Sequence, residues 1–317
     1  MNLTMKGFLL RGLAAGAAGG LATALFVRFV TETEIGWAIG FEDASGLGAP
    51  AGEPAEFTRN AQHWGGMLAA LIFGTLLGIV LSVVVAALHD RISSRDEFGR
   101  VAKVAFAAFV ATSLIPAFKY PPNPPTVGDP DTIGQRTASY LLLIVVGIGI
   151  VVAVGWAWKQ LSAKGIDGGA RFLAGGGLAV VLVTAAYLVF PATPDRIEPP
   201  NSEADPALVV ADTAPDEVLD AMLTNAREIG DESYRNPSDP TEALDLDDVS
   251  SGADLVGTPV AISTTKLAPQ AYTTMVWTFR LRSIAGVALM WAVMAGVLGL
   301  LLDRANRSSQ LAAQPAA

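Results

Sequence analysis

Six stretches of about twenty residues, nearly free of charge, constrain this chain more than any other feature of it. Wound as α-helix, a run of that length crosses the hydrocarbon core of a bilayer, which is about 30 Å thick. The runs cover roughly residues 7–30, 64–88, 101–118, 137–158, 172–190 and 283–302. Only 16% of the residues are charged, against about 25% in soluble globular chains. The 317 residues, a length that would suit two soluble domains, therefore read as an all-α polytopic membrane protein with its six spans in one bundle. Cysteine is absent, which excludes disulfides, iron–sulfur clusters and thiolate metal sites.

Charge sets the expected topology. Short loops rich in Lys and Arg mark the cytoplasmic side of a membrane. If Lys6, Arg11, Arg91, Arg95, Arg100, Lys103, Lys159, Lys164, Arg171, Arg304 and Arg307 lie inside, six spans place both termini inside as well. The net charge is −9, and apart from Asp90, Asp96, Glu97, Asp167 and Asp303 every acid falls in residues 31–62, 117–136 or 191–279. Those segments are then external, either as a surface hydrated in high salt or as one that attracts cations. No basic patch for nucleic acid is present.

Three parts follow. Residues 1–190 carry the first five spans, and 191–279 form an acidic, mostly irregular external segment. Residues 280–317 hold the final span and a short cytoplasmic tail. Within the acidic segment one short helix is expected, with Thr213 as N-cap and Val218, Met222, Ala226 and Ile229 on its apolar face. The first run reads as a retained span, because Gly12, Gly16 and Gly20 recur every fourth residue and make a flat face for helix packing. Gly66, Ala70, Gly74 and Gly78 repeat that pattern in the second run.

Chemistry is sparse. No lysine precedes Ser or Thr, so there is no P-loop, and neither Gly-x-Ser-x-Gly nor His-Glu-x-x-His occurs; no enzymatic constellation is found. Spans two, four and five carry no carboxylate, lysine or arginine at mid-membrane depth, which argues against a proton relay. What remains is a polar ring at the outer helix ends. Arg59, Gln62 and His63 stand at i, i+3 and i+4 and share a helix face. With the carboxylates of Glu32, Glu34 and Glu42 nearby in sequence, His63 offers the mixed N/O donor set of a borderline divalent ion such as Co(II), Ni(II) or Zn(II). Glu34, Glu42 and His63 are the candidate ligands, supported by Arg59, Gln62 and Arg280; the plainer reading is an interfacial histidine beside a solvated acidic face. Arg280 and Arg282 either clamp Glu32 or Glu34 or snorkel to the interface. His89 and Asp90 at the inner end of the same helix are a receiving ligand pair or a helix-end cap.

Between the third and fourth spans runs Lys119-Tyr120-Pro121-Pro122-Asn123-Pro124-Pro125, followed by Val127-Gly128-Asp129-Pro130. Its prolines fix φ and exclude helix for the residues before them, so this is a stiff extended arch, a structural element more than a ligand set. Lys119 and Arg136 bracket it and are expected to pair with Asp129, Asp131 or lipid headgroups. The arch resembles the signature of the CbtA family of cobalt transporter subunits. Glu34 with Ala38-Ile39-Gly40-Phe41-Glu42, and Phe279-Arg280-Leu281-Arg282-Ser283, are similar to two further stretches of that family. The resemblance implies uptake of Co(II), with no permanently bound cofactor, at the cytoplasmic membrane. It also implies a small one-span, histidine-bearing CbtB-like partner; a homo-oligomer is a further expectation. The competing function is a non-transporting membrane scaffold that binds a partner through the arch and the acidic loop.

Overall fold

In a computed structural model the chain is described over residues 4–44, 57–124, 132–192, 207–210, 215–261 and 268–312. Six helices in it are long and apolar enough to cross a membrane: Met5–Gly36, Arg59–Leu88, Glu97–Lys119, Ile133–Ala163, Gly168–Val189 and Thr274–Ser308. The first is α1 (Met5–Phe26), which passes through a π-helical turn at Val27–Thr31 into α2 (Glu32–Ala44). Helix α3 spans Arg59–Leu88. The third crossing joins α4 (Glu97–Phe109) to α5 (Ile115–Lys119) through a second π turn at Val110–Leu114. Helices α6 (Ile133–Ala163) and α7 (Gly168–Val189) form a hairpin, and α9 (Ala268–Ala312) makes the last crossing. It starts well before residue 280, where the final part of the chain was expected to begin.

Side-chain caps open four of these helices, which satisfies backbone N–H groups that a helix leaves orphaned. Thr4 accepts from Gly7, Thr58 from Ala61, Asp96 from Gly99 and Asp167 from Ala170.

The expected small-residue stripes hold α1 against α3. A Cβ added to Gly16 would lie 2.4 Å from the Gly74 carbonyl oxygen, and one on Gly78 would lie 2.4 Å from Gly16 Cα. Backbone therefore rests on backbone, and only glycine fits. The stripe on α3 is shorter than its sequence pattern, because Gly66 has nothing near it. On a neighbouring face of α1, Gly19 receives Met290 and Met294 of α9. Phe8, Leu81, Val85, Val101, Val104, Trp291, Met294, Leu298 and Leu302 complete one core between α1, α3, α4 and α9. A second, smaller cluster joins Ile115 of α5 to Leu143 and Ile150 of α6 and Ala186 of α7. Much of the α6–α7 hairpin is exposed apolar surface, including Val145, Val152, Leu173 and Leu188, as suits a hydrocarbon surround.

The acidic segment is more regular than its composition predicts. Helix α8 (Asp216–Ile229) packs Leu219, Leu223 and Ala226 against Leu246, Val249 and Leu255. Strands β1 (Ala207–Val209) and β4 (Pro259–Ala261) pair antiparallel, as do β2 (Arg235–Asn236) and β3 (Asp239–Ala243). Few aliphatic residues occur here, but they converge on one small core. The buried stripe of α8 is not the expected one, since Val218 is exposed and Leu219 takes its place. Pro215 occupies the N-cap position of α8, and Thr213 lies outside the described residues.

Candidate functional site

One mouth of the bundle is built where α2 and α3 begin. The first span does not end in an acidic loop, as expected; it stays helical, so Glu32 and Glu34 sit on a rigid element that follows the π turn. A π turn carries an extra residue and re-aims the side chains beyond it. Glu32 faces α3 and Glu34 faces α9. The Glu32 carboxylate accepts from Arg59 and lies 2.8 Å from His63 Nε2 through the same oxygen. Arg59 also donates to Gln62 at 2.7 Å, so the i, i+3, i+4 trio is gathered around one carboxylate.

Glu34 is engaged elsewhere. It is buried, and Arg282 of α9 donates to it and, at 2.6 Å, to the Val30 carbonyl. One guanidinium thus clamps the carboxylate and a backbone acceptor of the π turn, the clamp expected of Arg280 or Arg282. Arg280 instead reaches Asn123 of the proline arch at 2.8 Å and stacks over Trp277. Buried Thr31 has a hydroxyl with no hydrogen-bond partner.

Glu34 and His63, proposed from sequence as ligands of one ion, are therefore held by different partners. The Glu42 side chain falls outside what the structure describes. Among the described residues no group of three or more His, Asp or Glu is arranged to hold a metal. What is assembled is a pair, one imidazole nitrogen and one carboxylate. Sequence placed Glu32 near the site but singled out Glu34, because hydropathy does not show how the π turn at Val27–Thr31 orients the helix that follows it.

The arch ties the mouth to the rest of the bundle. Lys119 donates to the Tyr187 carbonyl at 2.9 Å and Tyr120 to the Pro191 carbonyl at 3.0 Å, both at the end of α7. The expected partners of the lysine, Asp129 and Asp131, lie outside the described residues. Pro121, Pro122, Asn123 and Pro124 carry no helix or strand, whereas Pro125 and Asp129 lie outside the described residues. Burial raises the Tyr120 pKa above its ordinary value, and a hydrogen bond with Ser139 acts in the opposite direction.

Within the membrane several polar side chains are already engaged in hydrogen bonds inside the protein. Thr75 donates to the Leu71 carbonyl, Ser82 to that of Ile79 and Thr112 to that of Ala108, while Trp291 Nε1 donates to Ser113.

A family model described as probable cobalt transporter subunit (CbtA) matches residues 5–229. The chain belongs to the CbtA family. The stretch matched to CbtA contains five of the six crossings, the arch and both residues of the Glu32–His63 pair. The last crossing, with Arg280 and Arg282, follows it. CbtA proteins are described as probable cobalt transporter subunits, which implies a partner, and with the six apolar helices this makes the chain a multi-pass membrane protein. Comparisons with curated proteins and with solved structures found no match.

Proposed function

We propose that this chain is the membrane subunit of a cobalt uptake transporter in the cytoplasmic membrane, with the mouth at Glu32 and His63 facing outward and collecting Co(II). The observation that carries the reading is the imidazole–carboxylate pair at a helix end, inside the stretch matched to the family. A hydrated Co(II) exchanges one or two waters for His63 and Glu32 and keeps the rest, which suits a borderline ion with N/O donors. Arg59 already neutralises Glu32, so the ion must displace a tethered cation. Binding is therefore weak enough for release, as conduction requires. Glu34, clamped by Arg282, holds the π turn that aims Glu32; Glu42, farther along α2, is a further oxygen donor to be tested.

Beyond the mouth, the chain's own spans offer hydroxyls already bonded to backbone, and stripping water from a divalent ion without replacing its ligands costs far too much. The proposed one-span, histidine-bearing partner supplies the remaining donors. Co(II) titration of the purified full chain tests the mouth. The expected result is at least tenfold weaker binding there in His63→Ala and Glu32→Gln. Unchanged isotherms in both variants sink the assignment. A second reading, a partner-binding scaffold, draws on the folded module of residues 215–261 and on the pinned arch; it predicts no saturable Co(II) binding by this chain at all.

A further inference from the structure

The second of the chain's two histidines stands at the opposite end of α3 among the same residue types. Near the start of the helix one oxygen of Glu32 meets Arg59 and His63 Nε2. At its end one oxygen of Glu97 meets Arg100 at 2.5 Å and His89 Nε2 at 3.3 Å. The two imidazoles are 26 residues apart on one helix, about 39 Å at 1.5 Å per residue. That is close to a full bilayer with its headgroup regions.

Three details give the second cluster a binding character. Arg100 Nη1 lies 3.0 Å from His89 Nε2. A guanidinium only donates, so it meets the ring's lone pair, and Nδ1–H then points to Asp90 at 3.1 Å. Imidazole nitrogen and carboxylate oxygen thus converge on one cation, and that cation is a side chain of the protein itself. Glu97 is 4% exposed, and its other oxygen, Oε2, is buried with no hydrogen-bond partner. A buried carboxylate oxygen without a donor is uncommon, and it is a place where a water or an ion can be held. Finally, capping of α4 does not need this side chain. Asp96 accepts from Gly99 at 2.7 Å, and Asp303 of α9 accepts from the Glu97 and Phe98 backbone at 2.9 and 3.3 Å.

We propose that His89 and Glu97 form a second divalent transition-metal site, in which Arg100 is a built-in competitor that the metal displaces. The donor set, one imidazole and a carboxylate with a spare oxygen, takes a borderline ion that completes its shell with water. Displaced, Arg100 keeps its bond to the Ile92 carbonyl through Nε, 3.1 Å away, and remains poised to return and expel the ion. The inference rests on the reading of the chain as a Co(II) carrier: one end of α3 receives the ion and the other hands it on.

The test is Co(II) titration of the full chain in nanodiscs, followed by calorimetry and by the visible absorption of the bound ion. Wild type takes up two equivalents and His63→Ala one. Adding His89→Ala or Glu97→Gln to His63→Ala removes the remaining one. Arg100→Gln on the His63→Ala background tightens that equivalent at least tenfold, an effect that loss of a merely structural ion pair does not produce. Folding is checked by size-exclusion profile; if Glu97→Gln misfolds, the solvent-accessible His89 ring provides the decisive variant. Uptake unchanged by His89→Ala, or Arg100→Gln that leaves affinity unaltered, overturns the second site and leaves the first standing. Uptake sensitive to His89 but not to His63 overturns the first and leaves the second.

Discussion

The two ends of α3 carry the same three side chains in different settings. At the start, the side chain of Arg59 is 40% exposed and that of Glu32 19%; at the end, the side chain of Arg100 is 13% exposed and that of Glu97 5%. The Glu32–Arg59 pair is thus the more open to water and the Glu97–Arg100 pair the more buried, whereas the two imidazoles are alike, the His63 side chain 20% and that of His89 22% exposed. The same chemical motif is therefore held with different strength at the two ends, according to the burial of its ion pair. A half-exposed pair costs little to break, whereas separating a buried pair leaves a charge without compensation.

The middle of the helix decides whether this comparison has any meaning, because it holds both ends in place. Gly78→Leu has the largest expected effect. Its Cβ would meet backbone of α1, so the chain should lose about 3 kcal/mol or more, seen as a collapse of the melting temperature in detergent. Gly66→Leu, with open space around it, should stay within about 0.5 kcal/mol of wild type. Equal losses would mean that α1 and α3 are not packed backbone to backbone.

Next come the carboxylates themselves. Glu97→Ala is expected to cost about 3 kcal/mol and Glu32→Ala no more than about 1 kcal/mol, read from thermal denaturation of the full chain. Similar values would break the contrast between the buried and the half-exposed ion pair. Asp303→Ala removes the acceptor for the first two N–H groups of α4 and should cost about 1 kcal/mol. The same change should loosen the Glu97 end without affecting Glu32. The smallest effect is expected of Arg59→Gln, about 0.5 kcal/mol in stability, together with tighter Co(II) binding at the Glu32 end because the competing cation is gone. Weaker binding there would show Arg59 to be an organiser of the site instead of its competitor.

Much of the architecture was legible in the chain before its structure. The six crossings follow from run length alone, and Gly12, Gly16 and Gly20 announced the helix face that carries α3. Arg59, Gln62 and His63 were placed together by helical spacing, which is local and robust. Pairings across helices were harder to read. Glu32 and Glu34 differ by two residues, and the orientation of α2 beyond the π turn sets which meets His63 and which meets Arg282. Within the acidic segment, the described residues 215–261 were harder to read for another reason. Low apolar content predicts irregular chain, yet Leu219, Leu223, Leu246, Val249 and Leu255 suffice for a small core when β-pairing and an α8 contact at Gly252 bring them together.

X-ray absorption of the Co(II)-loaded full chain reads directly whether the imidazoles of α3 are ligands of the carried ion. The prediction is a first shell with one imidazole nitrogen per cobalt and oxygen for the remainder, losing its imidazole signal in the His63→Ala, His89→Ala double variant. An all-oxygen shell in the wild-type protein, identical to that of the double variant, would contradict it.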